Sequence, residues 1–399
     1  MTIGVKYIAY PNSSGYGLAG VAYVRALHNA GLPVWWQPWF LGGEPHGWQP
    51  ADGLPTLPLA RAAERDAALA DLQALIAATM RPIDYDTVVV HTVPEHWPRF
   101  VEPGKRRLGY TVWETDAIPS HWPPLLNAVD AVAVPSRMNA DLFRRGGVTQ
   151  PVHVVPHIRR HAWSAAARND AVALRLRLRI PDDHFVFYTI GAWDRRKALP
   201  ELAAAFAEAF RTDDRVTLLV KTSAAVSNAA ERGGVAVEGP LREIIDAAAR
   251  RTGRADANFA VIAADDISGR TMDAIHAVGD CYVSLTHGEG WGMGAFDAAA
   301  LGKPVLITGW GGQLDYLGAD YPGLIRHRMT RVSGWLPHAS YQPNQFWAEP
   351  DREHAVQLMR AAAAGDEALF QAAERVREEI TNRFAEPIVV RQLVAAIDG

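Results

Sequence analysis

Two carboxylates set around a glycine-rich turn stand out first. The segment His287-Gly288-Glu289-Gly290-Trp291-Gly292-Met293-Gly294-Ala295-Phe296-Asp297 follows an apolar run ending at Leu285 and leads into a helical pattern. A strand, a glycine turn and a helix beginning near Gly292 aim several backbone N–H groups and the positive end of a helix at one place, which suits a phosphate. Glu289 lies in the turn and Asp297 on the helix, so the two acids can accept hydrogen bonds from two separate sets of hydroxyls, such as those of a sugar and of a ribose. A second group, Gly191-Ala192-Trp193-Asp194-Arg195-Arg196-Lys197, sits between the apolar run Phe185–Ile190 and a helical stretch from Leu199 to Phe210. Cations at the carboxyl end of a strand face the crevice of an open α/β sheet, where a diphosphate needs compensating charge. Lys221, just past the run Val216–Val220, is a further candidate at the same crevice.

The third signal, Gly15-Tyr16-Gly17-Leu18-Ala19-Gly20, satisfies G-x-G-x-x-G in a strand-turn-helix setting that lets backbone approach a phosphate. A structural turn is the plain alternative. A dinucleotide site would also need an acid near the end of the second strand to hold a ribose. That region reads Gln37-Pro38-Trp39-Phe40, which argues against NAD. Glu114, in Gly109-Tyr110-Thr111-Val112-Trp113-Glu114-Thr115-Asp116, and His91 each end a run in the first half. Both are candidates for the crevice, against a capping acid and a hydrogen-bonded strand-end histidine.

These residues need elements to position them. Apolar runs bounded by turn residues alternate with helical patterns at Val5–Tyr10, Pro33–Trp39, Thr87–His91, Leu108–Trp113, Ala131–Val134 and Val152–Val155. That alternation predicts a parallel sheet covered on both faces. From His157 to about Arg179 the strand pattern lapses into an Arg- and Ala-rich stretch, read as a linker. A second series then runs through Phe185–Ile190, Val216–Val220, Phe259–Ala263, Tyr282–Leu285 and Val305–Thr308, predicting a second parallel sheet. The expected division is 1–165 and 166–383.

A chain of 399 residues exceeds one ordinary core, and 49% hydrophobic with 21% charged residues places it among globular α/β proteins. A net charge of −4 with neither sign segregated gives no case for nucleic acid or an anionic membrane. The single cysteine, Cys281, forms no intramolecular disulfide, no apolar leader begins the chain, and no window suits a membrane span. The expected location is the cytoplasm. Thirteen tryptophans, with Trp35, Trp36, Trp39 and Trp48 crowded together, suggest either sugar stacking or core packing.

The region from Glu289 to Asp297 resembles the Glu-x7-Glu region of the retaining GT-B glycosyltransferases of family 4, the group 1 glycosyltransferases, with Asp297 in place of the second acid. The resemblance implies two Rossmann-like domains whose parallel sheets face an interdomain cleft. It implies that Glu289 contacts the donor sugar, Asp297 the nucleotide ribose, and the amides of Gly290, Trp291, Gly292 and Met293 the diphosphate. Lys197 matches the family's diphosphate-binding lysine; its arginine partner is assigned to Arg196, with Arg195 as the alternative, because Ala192 occupies the usual arginine position. The loop at Gly15 and Gly17 would close over the donor phosphate. Glu114 stands where many members have histidine near the reacting centre. Trp347-Ala348-Glu349-Pro350-Asp351 resembles a segment late in these enzymes, and the final helix, about 384–399, is expected to return to the first domain.

The implied activity is transfer of a sugar from a nucleoside diphosphate to a hydroxyl of a saccharide or other acceptor with retention, by front-face attack. The nucleotide sugar is a co-substrate, and no other cofactor is expected. A nucleotide-sugar epimerase and a non-catalytic nucleotide-sugar binder are the alternatives. No metal is expected, because the Asp-x-Asp of metal-dependent enzymes lies just past a strand, whereas Asp84-Tyr85-Asp86 precedes one.

Overall fold

The computed structural model describes residues 3–12, 14–39, 68–159, 165–224, 238–252, 257–265, 267–333 and 340–399. Six parallel strands form the first sheet: β1 (Val5–Ala9), β2 (Val34–Pro38), β3 (Thr87–His91), β4 (Arg106–Tyr110), β5 (Ala131–Val134) and β6 (Val152–Val154), ordered β2-β1-β3-β4-β5-β6. Buried runs such as Thr87-Val88-Val89-Val90-His91 belong to a sheet covered on both faces. Helix α1 (Gly15–Asn29) follows β1, capped by Ser14, whose hydroxyl accepts from Gly17 N at 3.2 Å. Helix α2 (Ala68–Thr79) precedes β3, and Pro94–Phe100 forms a 3-10 helix beyond it. Helix α3 (Trp122–Leu126) and helix α4 (Arg137–Arg145), the latter capped by Ser136, complete this half.

The second sheet contains β7 (Phe185–Ile190), β8 (Val216–Thr222), β9 (Phe259–Ala263), β10 (Cys281–Ser284), β11 (Val305–Thr308) and β12 (Leu324–Ile325), in the order β12-β11-β10-β7-β8-β9. All its pairings are parallel. The chain moves outward from β7 through β8 to β9, then returns and moves outward the other way from β10. The crevice between the carboxyl ends of β7 and β10 is therefore a topological switch point, the place where such sheets hold ligands. The turns carrying Lys197 and Glu289 leave those two strands.

Three expectations need correction. The supposed linker holds helix α5 (Ala165–Leu178), which buries Ala167, Ala171 and Leu174; its apolar residues are mostly alanines, which give a helix but little contrast to read. Strand β4 stops at Tyr110 rather than Trp113, so Glu114 sits in a loop. An antiparallel hairpin, β13 (His327–Arg331) with β14 (Phe346–Pro350), was not anticipated because Pro350 and scattered arginines blur the alternation.

The chain ends in α11 (Arg352–Ala363), α12 (Glu367–Arg383) and α13 (Glu386–Asp398). Helix α13 lies against α1 of the first half, where Asn29 Nδ2 donates to Glu386 Oε1 at 2.9 Å and Arg106 Nε donates to Ile397 O at 2.9 Å. Among the described residues no helix is long and apolar enough to cross a membrane.

Candidate active site

Strand β10 ends in a turn that takes Glu289 into the crevice. Gly292, at φ +82°, then turns the chain into helix α9 (Met293–Ala300) in the left-handed region that favours glycine. No side chain caps this helix, so its first-turn N–H groups point out of its end without a side-chain acceptor. The glycines of the turn allow close approach of the two domains. A Cβ at Gly288 would lie 2.1 Å from Glu114 O, and one at Gly290 would lie 1.8 Å from Val112 Cγ2.

Opposite, the turn after β7 is tied by Lys197 N donating to Asp194 Oδ1 at 2.9 Å. Ala198, at φ +49°, leads into helix α6 (Leu199–Ala209) in a conformation rare for a residue with a Cβ. Such strain persists only where the surroundings over-determine it. His287 N donates to Arg196 O at 2.7 Å, which stitches the two turns together.

The charged side chains meet there. Lys197 Nζ lies 2.6 Å from Glu289 Oε1, and Arg196 Nη1 lies 3.2 Å from Glu289 Oε2 while donating to Gly288 O at 2.6 Å. Arg196 Nη2 lies 3.6 Å from Glu114 Oε1, reaching across to the first domain. Burial alone would raise the Glu289 carboxyl, but Lys197 and Arg196 outweigh it and hold it below the usual carboxylate value. For Glu114 burial wins, and its carboxyl is pushed above the ordinary value despite Arg196. Arg195 turns away to Glu201 on α6, so of the two arginines it is Arg196 that joins the cluster.

Asp297 and Lys221 line a different part of the cleft. A cavity of 290 Å³ between the domains is bounded by Leu18 and Arg25 of α1, by His157, and by Lys221, Met293 and Asp297. Gly15 approaches this end of α9 directly, since a Cβ on it would lie 3.5 Å from Met293 Sδ. Gly17 serves local packing instead, with a Cβ there falling 2.1 Å from Asn12 O. The Trp291 ring is 2% exposed, among Phe296, Tyr316 and Phe384, so only its backbone is available to a ligand.

His91 does not join the charged cluster. It is 1% exposed, its Nδ1 lies 2.9 Å from Tyr7 Oη, and its ring packs 4.2 Å from that of Tyr110. Burial holds it well below the ordinary histidine value. Trp36 is a core residue, Trp35 and Trp39 pack on Tyr85 and Phe100, and Trp48 lies outside the described residues. His157 and Arg25, on the wall of the interdomain cavity, were missed by the sequence reading. His157 immediately follows Val155-Pro156 past β6, a signal that was there to use; Arg25 belongs to no motif.

No family model matches the sequence, and no curated protein matches it. Solved structures do match along the whole chain. HepE of Anabaena, in complex with UDP and glucose, is 13% identical over 99% of both chains with a TM-score of 0.61. The sucrose-phosphate synthase of Thermosynechococcus elongatus is 15% identical over 98% of this chain and 97% of its own, with a TM-score of 0.61. An α,α-trehalose-phosphate synthase (UDP-forming) of Burkholderia xenovorans, in complex with glucose-6-phosphate, is 13% identical over 99% and 100%, with a TM-score of 0.64. The fold is GT-B: two parallel six-stranded sheets facing a shared cleft.

Proposed function

We propose that this protein is a retaining glycosyltransferase that moves a sugar from a nucleoside diphosphate to a hydroxyl acceptor. The observation that carries the reading is the convergence of Lys197, Arg196 and Glu289 at the switch point of the second sheet, beside the uncapped end of α9. HepE, whose chain folds in the same way, is a protein that binds UDP and UDP-glucose. Negative charge develops on the departing diphosphate, and fixed positive charge aimed at it lowers the barrier. Lys197 and Arg196 supply that charge in this reading, together with the N–H groups from Gly290 to Met293, while Gly15, which faces Met293, closes the loop above. Lys197 shares its ammonium between Glu289 and the diphosphate oxygens.

Glu289 then faces the sugar hydroxyls, and Asp297 with Lys221, on the cavity wall, faces the nucleoside. The acceptor hydroxyl attacks on the face the diphosphate leaves, its proton passing to the departing phosphate oxygen as the sugar–phosphate bond breaks, without a protein nucleophile and without a metal. Glu114 lies at the reacting centre, opposite the cations. The chain divides near residue 165, and 384–399 belongs with the first domain.

Thermal unfolding against a panel of nucleoside diphosphates and nucleotide sugars tests the reading. A ligand at a hundred times its dissociation constant adds about 2.7 kcal/mol of stability. A panel in which none raises the melting temperature removes the donor assignment.

A further inference from the structure

Helix α1 turns two faces to two different neighbours. Tyr23, Val24, Ala26 and Leu27 are buried in the first domain's core. Leu18, Val21, Ala22 and Arg25 fall at i, i+3, i+4 and i+7, on one stripe of the helix. All four line the 290 Å³ cavity that Asp297 and Lys221 bound from the second domain. Three of the four are apolar, yet the stripe is not packed away: Leu18 is 42% exposed, and Val21 and Ala22 are half-buried.

The wall supplied by the second domain has the same make-up. Ile267, Met272 of helix α8 (Gly269–Val278) and Met293 of α9 bring apolar side chains to it, each only partly buried. Two apolar walls from different domains thus bound a space at the small end of ligand pockets, with room for a base and its ribose rather than a whole nucleotide sugar. Pockets of this kind fix orientation and specificity through a few polar groups. Here those are Arg25, His157, Lys221 and Asp297.

Arg25 differs from the other three. Lys221 and Asp297 each interact with a neighbour in the protein, and His157 Nδ1 lies 3.4 Å from Tyr23 Oη. Burial lowers His157 to about 3, so its ring is neutral. Among the described residues the half-buried Arg25 makes no hydrogen bond and no ion pair. It therefore brings uncommitted donors to the cavity, and a guanidinium has five of them and no acceptor.

We infer that Arg25 is a specificity-determining residue that reads a carbonyl oxygen on the edge of the donor's base, favouring uracil or guanine over adenine. The inference rests on the reading of this cavity as the nucleoside site. Guanine presents O6 beside N7, and uracil, like thymine, presents O4; all are acceptors that a guanidinium can meet. Adenine presents its N6 amino group beside N7, so that a donor would face a donor. In this arrangement the base lies between Leu18 and Val21 of one domain and Ile267 and Met272 of the other, and its recognition draws on both domains at once.

Calorimetric titration of the whole protein with UDP, GDP and ADP tests this. The wild type should bind UDP or GDP about tenfold more tightly than ADP, the factor expected for one hydrogen bond from a charged group. Arg25→Met keeps an apolar stem on the cavity wall and removes every donor. It should lose that tenfold for the favoured nucleotide and leave ADP within about twofold, and the retained ADP affinity shows that the site is still folded. A wild type that prefers ADP, a selectivity unchanged in Arg25→Met, or an equal loss for all three nucleotides overturns the role of Arg25 and leaves the nucleotide site standing. Binding of none of the three to the wild type removes the nucleotide site itself, and the role of Arg25 with it.

Discussion

The molecule buries two polar clusters of opposite character. Under α1 of the first domain, Tyr7, Tyr23, His91, Tyr110 and His157 form an uncharged network. Tyr23 Oη donates to Val155 O at 3.1 Å and Pro156 O at 3.0 Å, and lies 2.9 Å from Tyr110 Oη, which itself donates to Val155 O at 2.8 Å. These bonds hold the chain where it leaves β6 toward the second domain. At the cleft, Glu114, Arg196, Lys197 and Glu289 form a charged cluster of two acids and two bases. A satisfied neutral network stabilises and specifies a fold. Buried charges cost desolvation that their mutual attraction need not recover. Charge kept at such a cost belongs where something else needs it, and the comparison predicts that the first cluster serves stability and the second serves chemistry.

The largest effect expected is on turnover. Lys197→Ala should lower kcat by about 30- to 1000-fold, corresponding to a loss of ~2 to 4 kcal/mol in the transition state, while the folded protein persists. Steady-state kinetics beside a melting curve decides; full activity in the folded variant would falsify the assignment.

Tyr23→Phe should show the reverse. Pro156 O loses its side-chain donor, at a cost of roughly 1 to 3 kcal/mol, or several degrees in the melting midpoint. Turnover below the melting range should be unchanged. A kcat loss larger than the stability loss would erase the division between the clusters.

The clusters also answer pH differently. His157 is lowered by burial from 6.5 to about 3, and His91 is held well below 6.5 by burial and by His157. A histidine depressed in the folded state contributes stability above its unfolded value that is lost as pH falls toward the folded value. Unfolding midpoints should therefore fall between about pH 6.5 and 3, and His157→Gln should flatten that slope. In the charged cluster the two acids oppose each other. Glu114, raised, adds stability below its unfolded value and loses it as pH rises through the folded one; Glu289, depressed, adds stability above its unfolded value and loses it as pH falls. Denaturant titrations of the wild type and His157→Gln at several pH values test this. Equal slopes would mean that the histidine network does not set the acid limit.

Much of this was legible beforehand. Both sheets announce themselves as buried β-branched runs such as Thr87-Val88-Val89-Val90-His91, and the switch-point turns carry residues whose types already imply phosphate chemistry. The glycines were less legible, because their spacing alone does not say what approaches them. Gly17 admits Asn12 of its own domain, whereas Gly288 and Gly290 admit Glu114 and Val112 of the other. Choosing Arg196 over Arg195 needed side-chain directions that consecutive residues share no rule for. His91 misled because a strand's carboxyl end suggests the cleft, while Tyr7 and Tyr110 show its side chain turned into the core.

The smallest effect expected is that of a chelator, and it bears on why the charged cluster has two cations. Positive charge at a leaving diphosphate comes either from a divalent ion held by carboxylates or from fixed cations. The Asp-x-Asp pair, Asp84 and Asp86, lies before β3, whose other end is His91. Asp86 Oδ2 accepts from Ile3 N at 3.0 Å and Asp86 O accepts from Arg106 N at 2.9 Å, at the amino-terminal end of the strands, opposite the crevice. Of the acids at the crevice, Glu114 and Glu289 already face Arg196 and Lys197, and a divalent ion between them would stand against both cations. Excess chelator should thus leave the initial rate within about twofold, a barrier change under about 0.5 kcal/mol. Activity abolished by chelator and restored by magnesium or manganese would transfer the leaving-group charge from Lys197 and Arg196 to an ion, and with it the reason for burying them.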